Sequence, residues 1–400
     1  MGGKTLASVG IICEYNPFHL GHARQISLIR QQFGQDAAIV CLMSGSFVQR
    51  GEPAIFPRLA RARAAMVCGA DLVLELPALG SLSSAEGFAR TGVRFLSPIC
   101  DHLCFGTESG TAEDLAATAE ALLHPAFSEA LRAALSTGVS FPAARQAALE
   151  QMGMNADLLV RPNDILGVEY CKAILELESP LIPCPIHRPG DYHAEKADPE
   201  NPSATALRWA ILAGQPWESY LPQKAAECLG GSPVHSLAAG ERAVLYRLRT
   251  MQEADFEALP YGSEGLWRRL MRACREERGL EDILTAVKTK RYTRTRLNRM
   301  VLCAFLGITQ EDFRCPPPYA RILAFNDRGR NVLKGAKDTG LYRNLGWDDG
   351  SGYCAREQRW EGLYELFRVD GPGRPRQKER TLINLCLPLE EDAPAADAGR

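Results

Sequence analysis

Short apolar runs alternate with helical patterns through the first hundred residues. Residues 8–13 (SVGIIC), 37–43 (AAIVCLM), 70–76 (ADLVLEL) and 101–105 are short, apolar and rich in branched side chains. They predict four buried strands. Between the first two, His22, Ile26, Ile29 and Phe33 recur at helical spacing, and residues 34–36 stop the helix. Residues 59–67 and 84–96 carry similar helical patterns, Pro77 closes the third strand and Gly106 ends the fourth. A fifth strand is predicted over residues 181–188 (LIPCPIHR). Strands alternating with helices of about a dozen residues predict an α/β fold with a doubly wound parallel sheet. Such sheets hold ligands at the carboxyl ends of their strands, where the strand order reverses.

The pattern then changes. Residues 111–173 and 203–212 are mostly helical, and a Pro/Gly-rich stretch, 215–233, marks a boundary. Residues 237–307 are helical and increasingly basic, and CPPP at 315–318 marks a second boundary. The expected organisation is a ligand-binding sheet domain (1–215), a helical basic region (216–314), a small mixed C-terminal region (315–386) and a disordered acidic, Ala/Pro-rich tail (387–400).

Composition narrows the partners. The net charge of -2 gives no whole-molecule field for nucleic acid, so an RNA partner needs a local basic surface. The 13 cysteines lack paired CxxC spacing. Cys100 and Cys104, with His102 between them, have no second pair to complete a zinc set, so no metal site is expected. Unpaired cysteines in apolar runs suit a reducing, cytoplasmic location. No apolar run reaches the ~18 residues of a membrane span, so no membrane partner is expected. Nothing points to an obligate protein partner.

The sharpest chemical signal is EYNPFHLGH, residues 14–22, between the first strand and its helix. His19 and His22 form an HxGH motif there. Two imidazoles at a helix start can donate to phosphate oxygens, and the helix adds free N–H groups and partial positive charge. Gly21 lets a flat ligand approach the backbone, and Asn16-Pro17 shapes the turn. Histidines three apart also occur as metal ligands or plain surface residues. A second segment, SATALR at 203–208, opens a helix with Ser203, Thr205 and Arg208, either as an anion site or as an ordinary cap. GGKT at 2–5 lacks the first glycine and the strand of a phosphate-binding loop and is rejected.

HxGH followed by a Ser/Thr-x-x-Arg helix start resembles the nucleotidyltransferase superfamily. The resemblance is closer still to the tRNA(Met) cytidine acetate ligase family. It is carried in order by GIICEYNPFHLGH, GSFVQRGEPA (45–54), GADLVLELP (69–77), RPNDILGVEY (161–170) and SATALR, and more loosely by KTKRYTRTRLNRM and YARILAFN. It implies that acetate attacks the α-phosphate of ATP to give acetyl-adenylate, and that the acetyl group then passes to the wobble cytidine of elongator tRNA(Met). The product would be N(4)-acetylcytidine.

The resemblance also implies an ATP-binding segment of Gly10, Ile11, Ile12, Cys13, Glu14, Tyr15, Asn16, Pro17, Phe18, His19, Leu20, Gly21, His22 and Ala23. Later ATP contacts fall on Gly106, Asn163, His187 and Arg188. Each has a plainer alternative: Gly106 as a turn, Asn163 as a helix cap, Arg188 as a surface charge. By position alone, Arg50 in the 45–54 loop is the candidate acetate partner, or one residue of an ordinary polar loop. Mg²⁺ is expected with the bound phosphates, although no carboxylate cluster for it stands out.

Residues 288–299 (KTKRYTRTRLNR) hold Lys288, Lys290, Arg291, Arg294, Arg296 and Arg299 and no acid. Arg268, Arg269, Arg272 and Arg275 precede them. This is the candidate RNA surface, with Tyr292 as a stacking ring; the plainer alternative is a solvated basic helix. Two other functions stay open. One is an adenylyltransferase of the same fold with a small-molecule acceptor, against which the basic helical half argues. The other is a non-catalytic RNA-binding protein, against which the intact motifs argue.

Overall fold

A computed structural model describes residues 7–187, 203–289, 291–345, 350 and 352–375. Among the described residues there are nine strands: β1 Ser8–Cys13, β2 Ala38–Ser44, β3 Phe47–Val48, β4 Glu52–Pro53, β5 Leu72–Leu76, β6 His102–Thr107, β7 Ile182–His187, β8 Ala320–Phe325 and β9 Tyr342–Asn344. Seven form one sheet in the order β7-β6-β1-β2-β5-β8-β9, and β3 and β4 pair as a separate antiparallel hairpin. The five predicted strands are all found and run parallel to one another.

The chain builds outward from β1 through β2 to β5, then returns to the other side of β1 for β6 and β7. The order therefore reverses between β1 and β6. Crossover helices cover both faces. On β2, Val40 and Leu42 join one core with Phe88, Val93 and Val168, while Ile39, Cys41 and Met43 join another with Ile26, Ile29 and Ala62. Side chains alternate along a strand, so β2 needs an unbroken apolar run to fill both cores. Helix contact is close enough to exclude side chains: a methyl added to Gly92 would overlap Ile12.

The basic helices build a third core of Val244, Leu270, Ile283, Leu297 and Val301. It also takes in Phe47, Leu79 and Leu82 from the sheet domain and Trp360, Tyr364 and Phe367 from the C-terminal region. The boundary expected at 315 does not mark off an appendage. β8 pairs antiparallel with β5, and β9 pairs parallel with β8, so this region completes the main sheet. Its helix Gly352–Tyr364 is fastened by Trp360 Nε1 donating to the Leu306 carbonyl (2.9 Å) and Tyr364 Oη donating to the Ala54 carbonyl (2.7 Å). A buried ion network joins Arg58 and Glu75 to Arg321, Glu357 and Glu361. The expected tail, 387–400, lies outside the described residues.

Candidate active site

At the end of β1 the chain turns through Tyr15, whose φ is +44°, and a cis Asn16–Pro17 peptide. Asn16 Oδ1 accepts from the Ile55 N–H at 2.7 Å. His19 caps the helix Leu20–Phe33: its Nδ1 accepts from the Gly21 N–H at 3.1 Å. His22 reaches back, its Nδ1 accepting from the His19 N–H at 3.2 Å. The two rings stack with centroids 3.8 Å apart and planes 30° apart. A ring nitrogen that accepts carries no proton, so both rings are neutral tautomers with the N–H at Nε2. The cap geometry thus makes each Nε2 a donor at a helix start already favourable to anions. Tyr15 and Phe18 back the His22 ring, at 4.9 and 5.6 Å.

Within the same segment, Gly10 and Ile11 are buried in mid-strand. A methyl on Gly10 would overlap Leu96, so its small size serves helix packing. Leu20, Gly21 and Ala23 are partly exposed.

The second motif meets the first. Ser203 caps the helix Ala204–Leu212, its Oγ accepting from the Ala206 N–H at 3.1 Å. One turn on, Arg208 Nη2 donates to Thr205 Oγ1 (3.2 Å) and Nη1 donates to the Asn16 carbonyl (3.0 Å). Glu52 lies 3.9 Å from Arg208 Nε. Residues 192 apart in sequence therefore share one corner, with cationic Arg208 tied to the Asn16–Pro17 turn that leads into the two imidazoles.

The 45–54 loop is held rather than open. Gln49 N–H donates to Glu14 Oε1 (2.9 Å), Ser46 Oγ donates to Glu361 Oε2 (2.7 Å), and the Gln49 carbonyl accepts from Arg299 (3.1 Å). Arg50 sits partly exposed in the turn between β3 and β4. Gly51, at φ +77°, lies so close to the Asn298–Arg299 backbone that no side chain fits. Beneath the loop, fully buried Arg61 donates to the carbonyls of Glu14 (2.6 Å), Ser44 (3.0 Å), Gly45 and Phe56 (2.9 Å). Burial pulls its guanidinium below its usual value. Sequence reasoning missed Arg61, because RLARAR reads as a solvated helical face.

The β6 end makes a second rim. After Gly106, Thr107 Oγ1 and Ser109 Oγ donate to Asp164, as do the N–H groups of Glu108 and Ser109. Burial alone would raise the Asp164 carboxyl; the hydrogen bonds from Ser109, Thr107 and the backbone outweigh it and hold it below its usual value. Glu108 answers by accepting from the Asp164 N–H (3.0 Å) and from Asn163 Nδ2 (2.6 Å). Asn163 lies in the first turn of the helix Pro162–Glu176, and its backbone N–H donates to Glu108. The sequence signal for this clamp was the acid in the first turn after Pro162, which was passed over. His187 is exposed at the end of β7, in register with Thr107. Arg188, like Lys290, lies outside the described residues.

The basic residues divide. Arg272 and Lys288 are exposed, as are Arg268, Arg269 and Arg275. Arg291 pairs with Glu264 (2.7 Å), and Arg294 with Glu281 (2.6 Å). Arg296 donates to the Tyr261 carbonyl (2.7 Å) and Arg299 to Gln49, so both are turned into the protein. Tyr292 is 8% exposed and lies under the Arg296 guanidinium, which corrects its reading as a stacking ring. The helical period places these side chains on different faces, and a count of charges does not reveal that.

Among the described residues, no group of three or more His, Cys, Asp or Glu could hold a metal ion. No helix there is long and apolar enough to cross a membrane. The HIGH nucleotidyl transferase family model matches residues 6–347, which places the fold and the His19–His22 turn in that class of enzyme. Relatives named tRNA(Met) cytidine acetate ligase are 35% identical in Clostridium acetobutylicum, over 82% of this chain and 87% of theirs, and 37% identical in Thermosipho melanesiensis, over 82% and 81%. The chain belongs to the tRNA(Met) cytidine acetate ligase family. Crystal structures of Thermotoga maritima TmcAL agree. The apo form has a TM-score of 0.85 at 28% identity over 94% of this chain and 98% of that one. The form bound with alpha-thio ATP has a TM-score of 0.82 at 29% identity over 93% and 97%.

Proposed function

We propose that this protein uses ATP and acetate to acetylate the wobble cytidine of elongator tRNA(Met), giving N(4)-acetylcytidine. The observation that carries the ATP half is the stacked His19–His22 pair, with both Nε2–H donors set by backbone hydrogen bonds and Arg208 tied to the turn that precedes them. A carboxylate oxygen of acetate attacks the α-phosphorus of ATP, and the bond to pyrophosphate breaks. Charge then builds on the phosphoryl oxygens, and donors fixed in advance stabilise it without reorganising. In the second step the cytidine amine attacks the acetyl carbon, the bond to AMP breaks, and the amine loses a proton.

Arg50 is the proposed partner of the acetate carboxylate. Gly106, Asn163 and His187 line the proposed nucleotide rim, and Mg²⁺ is the proposed counter-ion of the phosphates. The exposed Arg272 and Lys288, with Arg291, form the proposed tRNA contact. A location in the cytoplasm, where tRNA and ATP are found, belongs to the same proposal. The test is acetate incorporation by the purified protein with ATP and labelled acetate, with and without bulk tRNA. Label entering tRNA only with ATP supports the reading; pyrophosphate release without transfer would keep ATP and acetate and discard the tRNA acceptor.

A further inference from the structure

We propose that Glu108 is a positioning residue that orients the Asn163 side chain so that the site takes adenine and rejects guanine. The proposal rests on the ATP reading above. Asn163 Nδ2 lies 2.6 Å from Glu108 Oε1. An ionised carboxylate only accepts hydrogen bonds, so the amide nitrogen must face Glu108 and Oδ1 must face the other way. The contact thus fixes which end of the amide meets a ligand.

Glu108 cannot swing aside cheaply. Its Oε2 accepts from the Asp164 N–H (3.0 Å) and its Oε1 from the Asn163 N–H (3.4 Å), so it caps the first turn of the helix. Asp164 in turn grips the loop that carries Glu108, through the Glu108 N–H (2.9 Å) and Ser109 Oγ (2.7 Å). Two carboxylates cap each other's segments. Ordering the amide costs side-chain entropy, and this double clamp covers that cost before any ligand arrives.

The base belongs on this rim for a steric reason. With phosphates at His19 and His22, the rest of a nucleotide leaves the end of β1 towards β2 or towards β6. The β2 side is filled by the 45–54 loop and its ties to Glu14, Arg61 and Glu361. The β6 side offers Gly106, which has no side chain, and the partly exposed Glu108 and Asn163. It is also where the strand order reverses. A fixed amide oxygen there accepts from the exocyclic amine of adenine. Guanine presents an oxygen at the same position, so two acceptors would face each other.

The test is Glu108→Gln, with ATP and GTP compared in acetate-dependent pyrophosphate release and in calorimetric binding. Glutamine keeps the shape and an acceptor for the helix N–H groups, but its own amide lets Asn163 turn over. The ATP:GTP ratio of kcat/KM should fall at least roughly tenfold, with kcat at saturating ATP changed about twofold or less. Asn163→Ala should lower the ratio similarly while leaving the Glu108 cap in place. An unchanged ratio with lowered thermal stability would make Glu108 only a cap and overturn the proposal. A change confined to the preference for ATP over 2′-deoxyATP would overturn it too, since Glu108 would then read the ribose. If the wild type releases no pyrophosphate, the acetate reading fails separately. The binding ratio then decides, and equal wild-type binding of ATP and GTP overturns the proposal.

Discussion

Arg299 donates to the carbonyl of Gln49, 250 residues earlier in the chain, while the N–H of that same Gln49 is held by Glu14 next to the histidine turn. The backbone of one residue, through its N–H on one side and its carbonyl on the other, therefore joins the basic helix Arg294–Leu306 to the β1 corner. Arg299→Ala should lower acetate-dependent pyrophosphate release as well as tRNA acetylation. A loss about ten-fold in both is expected, because misplacing a positioned group by a fraction of an ångström costs rate in every step that uses it. Pyrophosphate release at the wild-type rate, with tRNA acetylation alone impaired, would return Arg299 to the RNA surface.

The exposed basic residues should behave differently. Arg272→Glu combined with Lys288→Glu should weaken tRNA binding and leave pyrophosphate release without tRNA unchanged. Each lost phosphate contact lowers the salt slope of binding by about one. Titrating tRNA binding against salt measures this, and an unaltered slope would remove that face from the interface.

At the histidine turn, capping and chemistry can be separated. His19→Ala removes the helix cap, about 1 kcal/mol of stability, and one Nε2–H donor, a loss on the order of 10²–10³ in rate. His19→Asn restores a capping side chain but does not place a donor where Nε2 sits. It should recover the melting temperature without the activity. Recovery of both would mean that His19 acts only as a cap.

Asp164 gives a pH signature. Its folded value lies below the unfolded one, so its contribution to stability is complete above the unfolded value of about 3.9. It fades as pH falls through the lower folded value. Asp164→Asn should therefore cost about 1–3 kcal/mol near neutral pH, from donors left unsatisfied, and the gap to the wild type should close only in acid. Urea melts of both proteins between pH 7 and pH 3 would show it. A gap that stays constant across that range would refute this account.

Cutting the chain after residue 314 tests the boundary drawn from sequence. The fragment loses β8 from the edge of β5 and leaves Glu75 and Arg58 without Arg321 and Glu361. A buried charge stripped of its partner costs about 3–5 kcal/mol. The fragment should be insoluble or molten, and a cooperative melt from it would restore 315 as a domain boundary.

The parallel strands were legible because each carries its own apolar run and sits beside a helix of matching length. The HxGH and SATALR motifs were legible because their chemistry lies in consecutive residues. What was hidden depends on long-range pairing. Nothing in ARILAF says that it returns to β5 antiparallel, since a half-buried strand reads the same beside any neighbour. Arg61, and the inward turn of Arg299, were hidden for a related reason. A guanidinium that ends on backbone carbonyls has no acidic partner in the sequence to betray it. Asn163 was named from the sequence as a candidate, but Glu108, which accepts from its amide nitrogen, lies 55 residues away on another element.

The pairing of Glu75 with Arg321 bridges 246 residues, so a growing chain makes the first half of its sheet long before the closing strands leave the ribosome. Until then β5 is an open edge, ready to template a neighbouring chain. The strands that finish the molecule thus also guard it, and overproduction should be limited by the interval between synthesis of β5 and arrival of β8.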